Sequence, residues 1–231
     1  MILEFLDYYG ISVDKETKAE SHKWVLSYKD DTCFLDVSSL WWDGYVLQKQ
    51  VGEPVEYCGF GKDPNYYKVG SAKDCFRLLS LLSKGLPSFK LLSLEQALEG
   101  KLILDIQKMD QGYNLTFTLE DSIVQVEVTS DMCAAAYIET VDYDLEPSKL
   151  FPTRLVSISS ESSEDWGEQY HSCCGGQGLC EFTFITFHLE KGRVHVEFRV
   201  ESSGAYSGNL ETQAVLVVPK QFIDHKDFLK C

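Results

Sequence analysis

Two stretches of this chain alternate apolar and polar residues so regularly that each demands a half-buried antiparallel sheet. In the first, Leu104 and Ile106, then Leu115, Phe117 and Leu119, then Val124, Val126 and Val128 occupy every second position, the period of a strand. A turn at Gln111-Gly112 sets Ile106 opposite Phe117 and Leu104 opposite Leu119. A further turn at Asp121-Ser122 sets Leu119, Phe117 and Leu115 opposite Val124, Val126 and Val128. One face is then apolar, and the other carries Asp105, Gln107, Thr116, Thr118, Gln125 and Glu127, as expected of a sheet lying on a core. In the second stretch, a two-residue turn at Lys191-Gly192 pairs Leu189 with Val194, Phe187 with Val196, Ile185 with Phe198 and Thr183 with Val200. A three-residue turn would set Phe187 against His195 and Ile185 against Glu197, mixing the faces.

The rest of the chain follows the same style. Strand patterns occupy Lys23–Tyr28 and Cys33–Trp42, and Asp43-Gly44 is a type I′ hairpin signal leading into Tyr45–Gln50. That turn sets Tyr45 beside Trp42 and Val46 beside Trp41. A short helix before Gly10, a helix over 71–84 opened by Ser71 and Asp74, and a shorter one opened by Ser93 and Gln96 and closed by Gly100 are expected. Strands near Ala134–Tyr143, Arg154–Ser159 and Thr212–Val218 follow, and Phe222, Ile223, Phe228 and Leu229 suggest a closing helix. Hairpin-linked strands with two or three short covering helices make the class α+β, predominantly antiparallel. The 231 residues are read as one domain spanning 1–231, with a division into two lobes near residue 100 as the alternative.

Charge narrows the partners. Acids outnumber bases 36 to 21, a net charge of −15, and no Lys/Arg run exceeds two residues. Such a field repels phosphate backbones and anionic lipid and attracts a basic protein. Neither nucleic acid nor membrane is an expected partner, and oligomeric state stays open. No apolar run approaches the roughly 18 residues that cross a bilayer. The opening Met1-Ile2-Leu3-Glu4-Phe5-Leu6-Asp7 has no basic flank of a secretory signal. A cytoplasmic, reducing location is therefore expected, with the eight cysteines mainly free.

Three groups of residues carry candidate chemistry. The Lys191-Gly192 register places His188 opposite His195 on the polar face, with Glu197 and Glu190 beside them. Two imidazoles and a carboxylate bind zinc or iron, or transfer protons as a catalytic set. His171, Cys173 and Cys180 form a weaker metal set or an activated thiol, although neighbouring Cys173 and Cys174 rarely reach one ion together. Without either, no cofactor is expected. The aromatics Trp41, Trp42, Tyr45, Trp166 and Tyr170 form the third group, as binding anchors. Trp166 and Tyr170 fall in a stretch, Ser159 to Leu179, without secondary-structure period, expected to be a loop that binds, acts as a lid or is disordered.

No GxSxG, HExxH, EF-hand, kinase or dinucleotide signature occurs. The expected function is an interaction module, an inhibitor or immunity-type neutraliser of a basic protein. The alternatives are a metal-dependent or thiol enzyme built on His188, His195 and Glu197, and a small-ligand or carbohydrate binder built on Trp41, Trp42 and Trp166.

Overall fold

The computed structural model describes residues 6–14, 23–36, 46–49, 54–55, 79, 82–83, 86, 88–109, 112–131, 133–167, 170, 178–204 and 207–220. Two compact units divide the chain: Met1–Leu91 with Phe222–Cys231, and Leu92–Gln221. Antiparallel strands dominate both, so the class is α+β with the sheets prevailing.

In the first unit, β1 (Ser12–Asp14), β2 (Lys23–Tyr28), β3 (Asp31–Asp36), β4 (Val46–Lys49) and β5 (Pro54–Val55) pair in chain order. Residues 6–8 are helical and end as expected at Gly10, whose φ of +72° suits a residue without Cβ. Gly10 N–H donates to Asp7 C=O at 2.8 Å and Ile11 N–H to Leu6 C=O at 2.9 Å. Leu6, Ile11, Leu26, Leu79, Leu82 and Leu86 are buried, and the Phe89 ring meets Tyr9 and Tyr28 edge-on. The hairpin expected at Asp43-Gly44 is overturned: Asp36, not Trp41, is the partner of Val46. In the observed register Leu35 falls opposite both Trp24 and Leu47, and Leu47 opposite Val55. A tight turn at Asp43-Gly44 would break that row of apolar residues. Trp41, Trp42, Tyr45, the closing helix and most of the helix over 71–84 lie outside the described residues.

The second unit opens with α1 (Leu94–Leu98). Its start is the expected capping box, with Gln96 N–H donating to Ser93 Oγ at 3.3 Å and Ser93 N–H to Gln96 Oε1 at 3.0 Å. Then come β6 (Ile103–Met109), β7 (Asn114–Leu119), β8 (Ser122–Ser130), β9 (Ala135–Tyr143), α2 (Pro147–Leu150), β10 (Leu155–Gly167), β11 (Gly178–Leu189), β12 (Gly192–Ser202), β13 (Gly208–Leu210) and β14 (Leu216–Pro219). One sheet runs β13-β8-β7-β6, with β14 sharing the β8 edge, and the other runs β10-β11-β12-β9.

The apolar faces of these two sheets share one core. Ile106, Leu115, Phe117, Val124 and Val126 from the first meet Ile138, Ile185, Phe187, Val194, Val196 and Phe198 from the second. The Phe117 and Phe187 rings touch edge-on, with centroids 5.2 Å apart. Emptying one such buried ring costs roughly 3–5 kcal/mol.

The faces match the expected alternation, but two registers differ from it by two residues. Phe117 pairs with Val124 rather than Val126, and Leu115 with Val126 rather than Val128, because the turn is Glu120-Asp121. Leu189 pairs with Gly192 rather than Val194, and Phe187 with Val194 rather than Val196, so Glu190-Lys191 is the turn. A two-residue slip leaves every side chain on its own face, so alternation cannot exclude it. Gly192 serves packing instead of the turn: its φ is not positive, and a Cβ there would lie 3.1 Å from Leu150 Cδ1. Ile106 does face Phe117, yet an irregularity in β6 puts Ile103, not Leu104, opposite Leu119. Thr116, expected on the solvated face, is buried in the central strand between Gln107 and Gln125.

Gly112 (φ +101°) and Gly100 (φ +68°) both sit in the left-handed region, but a Cβ on Gly112 would collide with the Ile138 carbonyl whereas Gly100 has open space. Gly100→Ala should therefore cost about 1–2 kcal/mol from backbone strain alone. Gly112→Ala should cost at least about 1 kcal/mol more through the clash. Urea unfolding of the two variants measures the difference, and equal midpoints would contradict this packing.

Candidate functional site

Burying one face of β11 and β12 leaves their other face to carry function, and its side chains follow from the register. Four rows cross the sheet from β10 to β9: Ser159, Thr186, His195, Asp142; then Glu161, Phe184, Glu197, Thr140; then Ser163, Phe182, Arg199, Tyr137; then Asp165, Cys180, Glu201, Ala135. Acids and aromatics dominate the middle of this surface.

Its centre is an aromatic and ionic cluster. Phe182 and Phe184 are stacked, with centroids 6.5 Å apart and planes 5° from parallel. Tyr170 meets Phe182 edge-on and donates its hydroxyl to Asp165 Oδ2 at 2.9 Å. The Arg199 guanidinium lies 5.4 Å from the centre of the Phe182 ring. It donates from Nε to Glu197 Oε1 at 2.7 Å and lies 3.9 Å from Glu139. Desolvation opposes the Arg199 charge, but these carboxylates outweigh it and raise its pKa. Beside it, burial and then the Glu201 carboxylate, which accepts the Tyr137 hydroxyl at 2.6 Å, push the Tyr137 phenol up to about 12. Arg199 thus lies between Glu197 and Glu139, while Phe184 remains 47% exposed between Glu161 and Glu197.

The histidines share this face but do not meet as expected. His188 falls opposite Arg193, His195 opposite Thr186, and Glu197 opposite Phe184. Glu190 sits in the turn. Each ring has its own partners: His188 Nε2 and Ser159 Oγ are 2.9 Å apart, His195 Nδ1 and Thr186 Oγ1 3.1 Å, and His195 Nε2 and Asp144 Oδ1 3.0 Å. Among the described residues no group of three or more His, Cys, Asp or Glu side chains converges as a metal set. Asp144–His195–Thr186 does link carboxylate, imidazole and hydroxyl, the order that activates a nucleophile. However, Thr186 lies in the middle of a strand whose N–H groups serve the ladder, so no donor pair faces an oxyanion. Asp144 and Ser159 carry no signal in the amino-acid sequence, since their contacts with the histidines arise only once β9 and β10 are aligned.

The expected loop from Ser159 to Leu179 is in large part strand, because β10 runs to Gly167 and β11 begins at Gly178. From Ser159 to Trp166 β10 buries neither face, so no alternation marked it. Its two aromatics part company. Tyr170 joins the outer cluster, whereas Trp166, 54% exposed, lies in register with Leu179 and rests its ring against Gly204. His171 and Cys173 lie outside the described residues. Cys180 is buried, and its thiol is pushed up to about 11, first by desolvation and then by Glu201. That is the opposite of an activated thiolate. Elsewhere in the unit, a shallow groove lined by Leu104, Asp105, Pro147, Ser148, Phe151 and Pro152 brings together neither the histidines nor the aromatics.

Two stacked antiparallel sheets with an acidic, aromatic outer surface define the class: a sheet-dominated α+β domain. The family model described as Domain of unknown function (DUF7448) matches residues 96–212, all within the second unit, and the chain belongs to that family. No curated protein and no solved structure matches this chain.

Cys33 shares the fate of Cys180, its thiol raised to about 12 by burial and then by Asp31. In the native protein at neutral pH, iodoacetamide should therefore leave Cys33 and Cys180 unlabelled, and urea should expose both. Peptide mapping by mass spectrometry measures this. Native labelling of Cys180 at the rate of a free thiol would contradict its burial.

Proposed function

We propose that this protein is an interaction module that binds a basic protein partner, acting as an inhibitor or immunity-type neutraliser in the reducing cytoplasm. The observation that carries the reading is Phe184: a large apolar ring, 47% exposed, stacked on Phe182 and held between Glu161 and Glu197 on an open sheet face. With Glu197 paired to Arg199, a large apolar ring beside the exposed Glu161 carboxylate suits a cationic surface with its own apolar patch. The net charge of −15 supports the same sign of partner and would speed encounter at low salt. Cys33 and Cys180 are buried free thiols, and no described helix is long and apolar enough to cross a membrane.

The enzyme alternative on His188, His195 and Glu197 draws less support, since each histidine is engaged by a separate hydroxyl. Of the carbohydrate-binding trio Trp41, Trp42 and Trp166, Trp166 alone lies among the described residues.

Affinity capture tests the proposal. The immobilised protein should retain a basic protein at low ionic strength and release it near 0.5 M salt, where charge interactions are screened beyond about 4 Å. Phe184→Ala, an exposed change that leaves the fold intact, should lower retention at least tenfold. Retention that ignores both salt and Phe184 would refute the reading.

A further inference from the structure

We infer that β10 is a docking edge: an extended, lysine- or arginine-rich segment of the basic partner adds to it as a fifth strand of the β10-β11-β12-β9 sheet. The inference rests on the basic-partner reading above and specifies where and in what conformation that partner binds.

The sheet has two edges, and they are treated differently. At β9 the Glu139 carbonyl accepts the Lys108 ammonium, and the β6–β7 turn at Gly112 lies against the Ile138 backbone. The other sheet closes β6 similarly, with Ile103 and Thr153 exchanging backbone bonds at 2.7 and 3.0 Å and the Tyr143 hydroxyl donating to Ile106 C=O. At β10, 13 residues long, pairing among the described residues is to β11 alone.

The register shows which backbone groups are free. Leu189 and Gly192 close a two-residue turn, so they exchange hydrogen bonds and odd-numbered β11 residues point their N–H and C=O groups to β12. Even-numbered ones therefore point to β10, in accord with Glu190 N–H donating to Arg154 C=O at 3.0 Å. Through the pairs Ser159 with Thr186, Glu161 with Phe184 and Ser163 with Phe182, odd-numbered β10 residues face β11. Ile158, Ser160, Ser162, Glu164 and Trp166 turn theirs outward. Trp166 N–H is taken by its neighbour's Asp165 Oδ1 at 2.9 Å, which closes the far end. From Ile158 to Glu164 the ladder has no partner among the described residues.

Charge selects the occupant. Glu161, Glu164 and Asp165 line this edge, and no Lys or Arg occurs between Leu155 and Gly167. A second copy of the chain would bring these carboxylates against their own kind, which like-charge repulsion forbids as it does on natural edge strands. A basic extended segment meets the same carboxylates favourably while its backbone completes the ladder.

A nine-residue peptide of alternating lysine and valine, labelled for fluorescence anisotropy, tests this with the full chain. It should bind, and N-methylation of every second residue, which removes strand donors without changing charge, should weaken binding at least tenfold. Ser162→Pro, which deletes an outward N–H tolerated on an edge strand, should weaken the unmethylated peptide equally. Equal affinity for the methylated and unmethylated peptides would overturn strand addition while leaving the basic-partner reading in place. Failure of the peptide to bind, with a basic protein still captured through Phe184, would do the same. Failure of both peptide and capture would overturn the two together.

Discussion

The edge-on contact of Phe117 with Phe187 holds the second unit together, because it is where the apolar faces of two sheets become one core. A strand has a period of two, so committing Phe187, Ile185, Val194 and Val196 to that core leaves no choice about their neighbours. Thr186, Phe184, Phe182, His195, Glu197 and Arg199 must lie on the opposite side. The outer surface that carries the candidate function is thus the complement of the hydrophobic pattern. Within it, Arg199 pairs its charge with Glu197 and lays its flat face on Phe182, so of the two carboxylates flanking Phe184 it is Glu161 that keeps an exposed charge.

Which side chains share a face was largely legible from the amino-acid sequence, whereas of the residues that stand opposite each other the pair Ile106 and Phe117 was legible and those of two other hairpins were not. The β7–β8 and β11–β12 registers differ from expectation by two residues, for a common reason: hydrophobic alternation is unchanged by a two-residue slip, and the turns used are Glu120-Asp121 and Glu190-Lys191 instead of Asp121-Ser122 and Lys191-Gly192. Gly192 misled because a glycine beside a turn reads as part of it, whereas this one makes room for Leu150. The cost fell on the histidines. They stand on the expected face but one step apart along the strands, each bound to a hydroxyl of its own. Where caps are local, as at Ser93 with Gln96 and at Gly10, expectation and structure agree.

The long edge strand was the least legible element. Its serines and acids carry no hydrophobic alternation because neither of its faces is buried beyond Ser159, and pairing with β11 is the whole reason it is extended. The same property makes it interesting. A strand this exposed and this acidic is protected by like-charge repulsion from pairing with itself. It lies inside the segment that defines the family.

Amide hydrogen exchange along β10 in the free protein tests the open edge most directly. Ser159, Glu161 and Ser163 should be protected by their bonds to β11, while Ser160, Ser162 and Glu164 should exchange at rates near those of an unstructured chain. Uniform protection would mean that the edge is already covered, and uniformly fast exchange that the strand is not formed; either result would contradict the structure described.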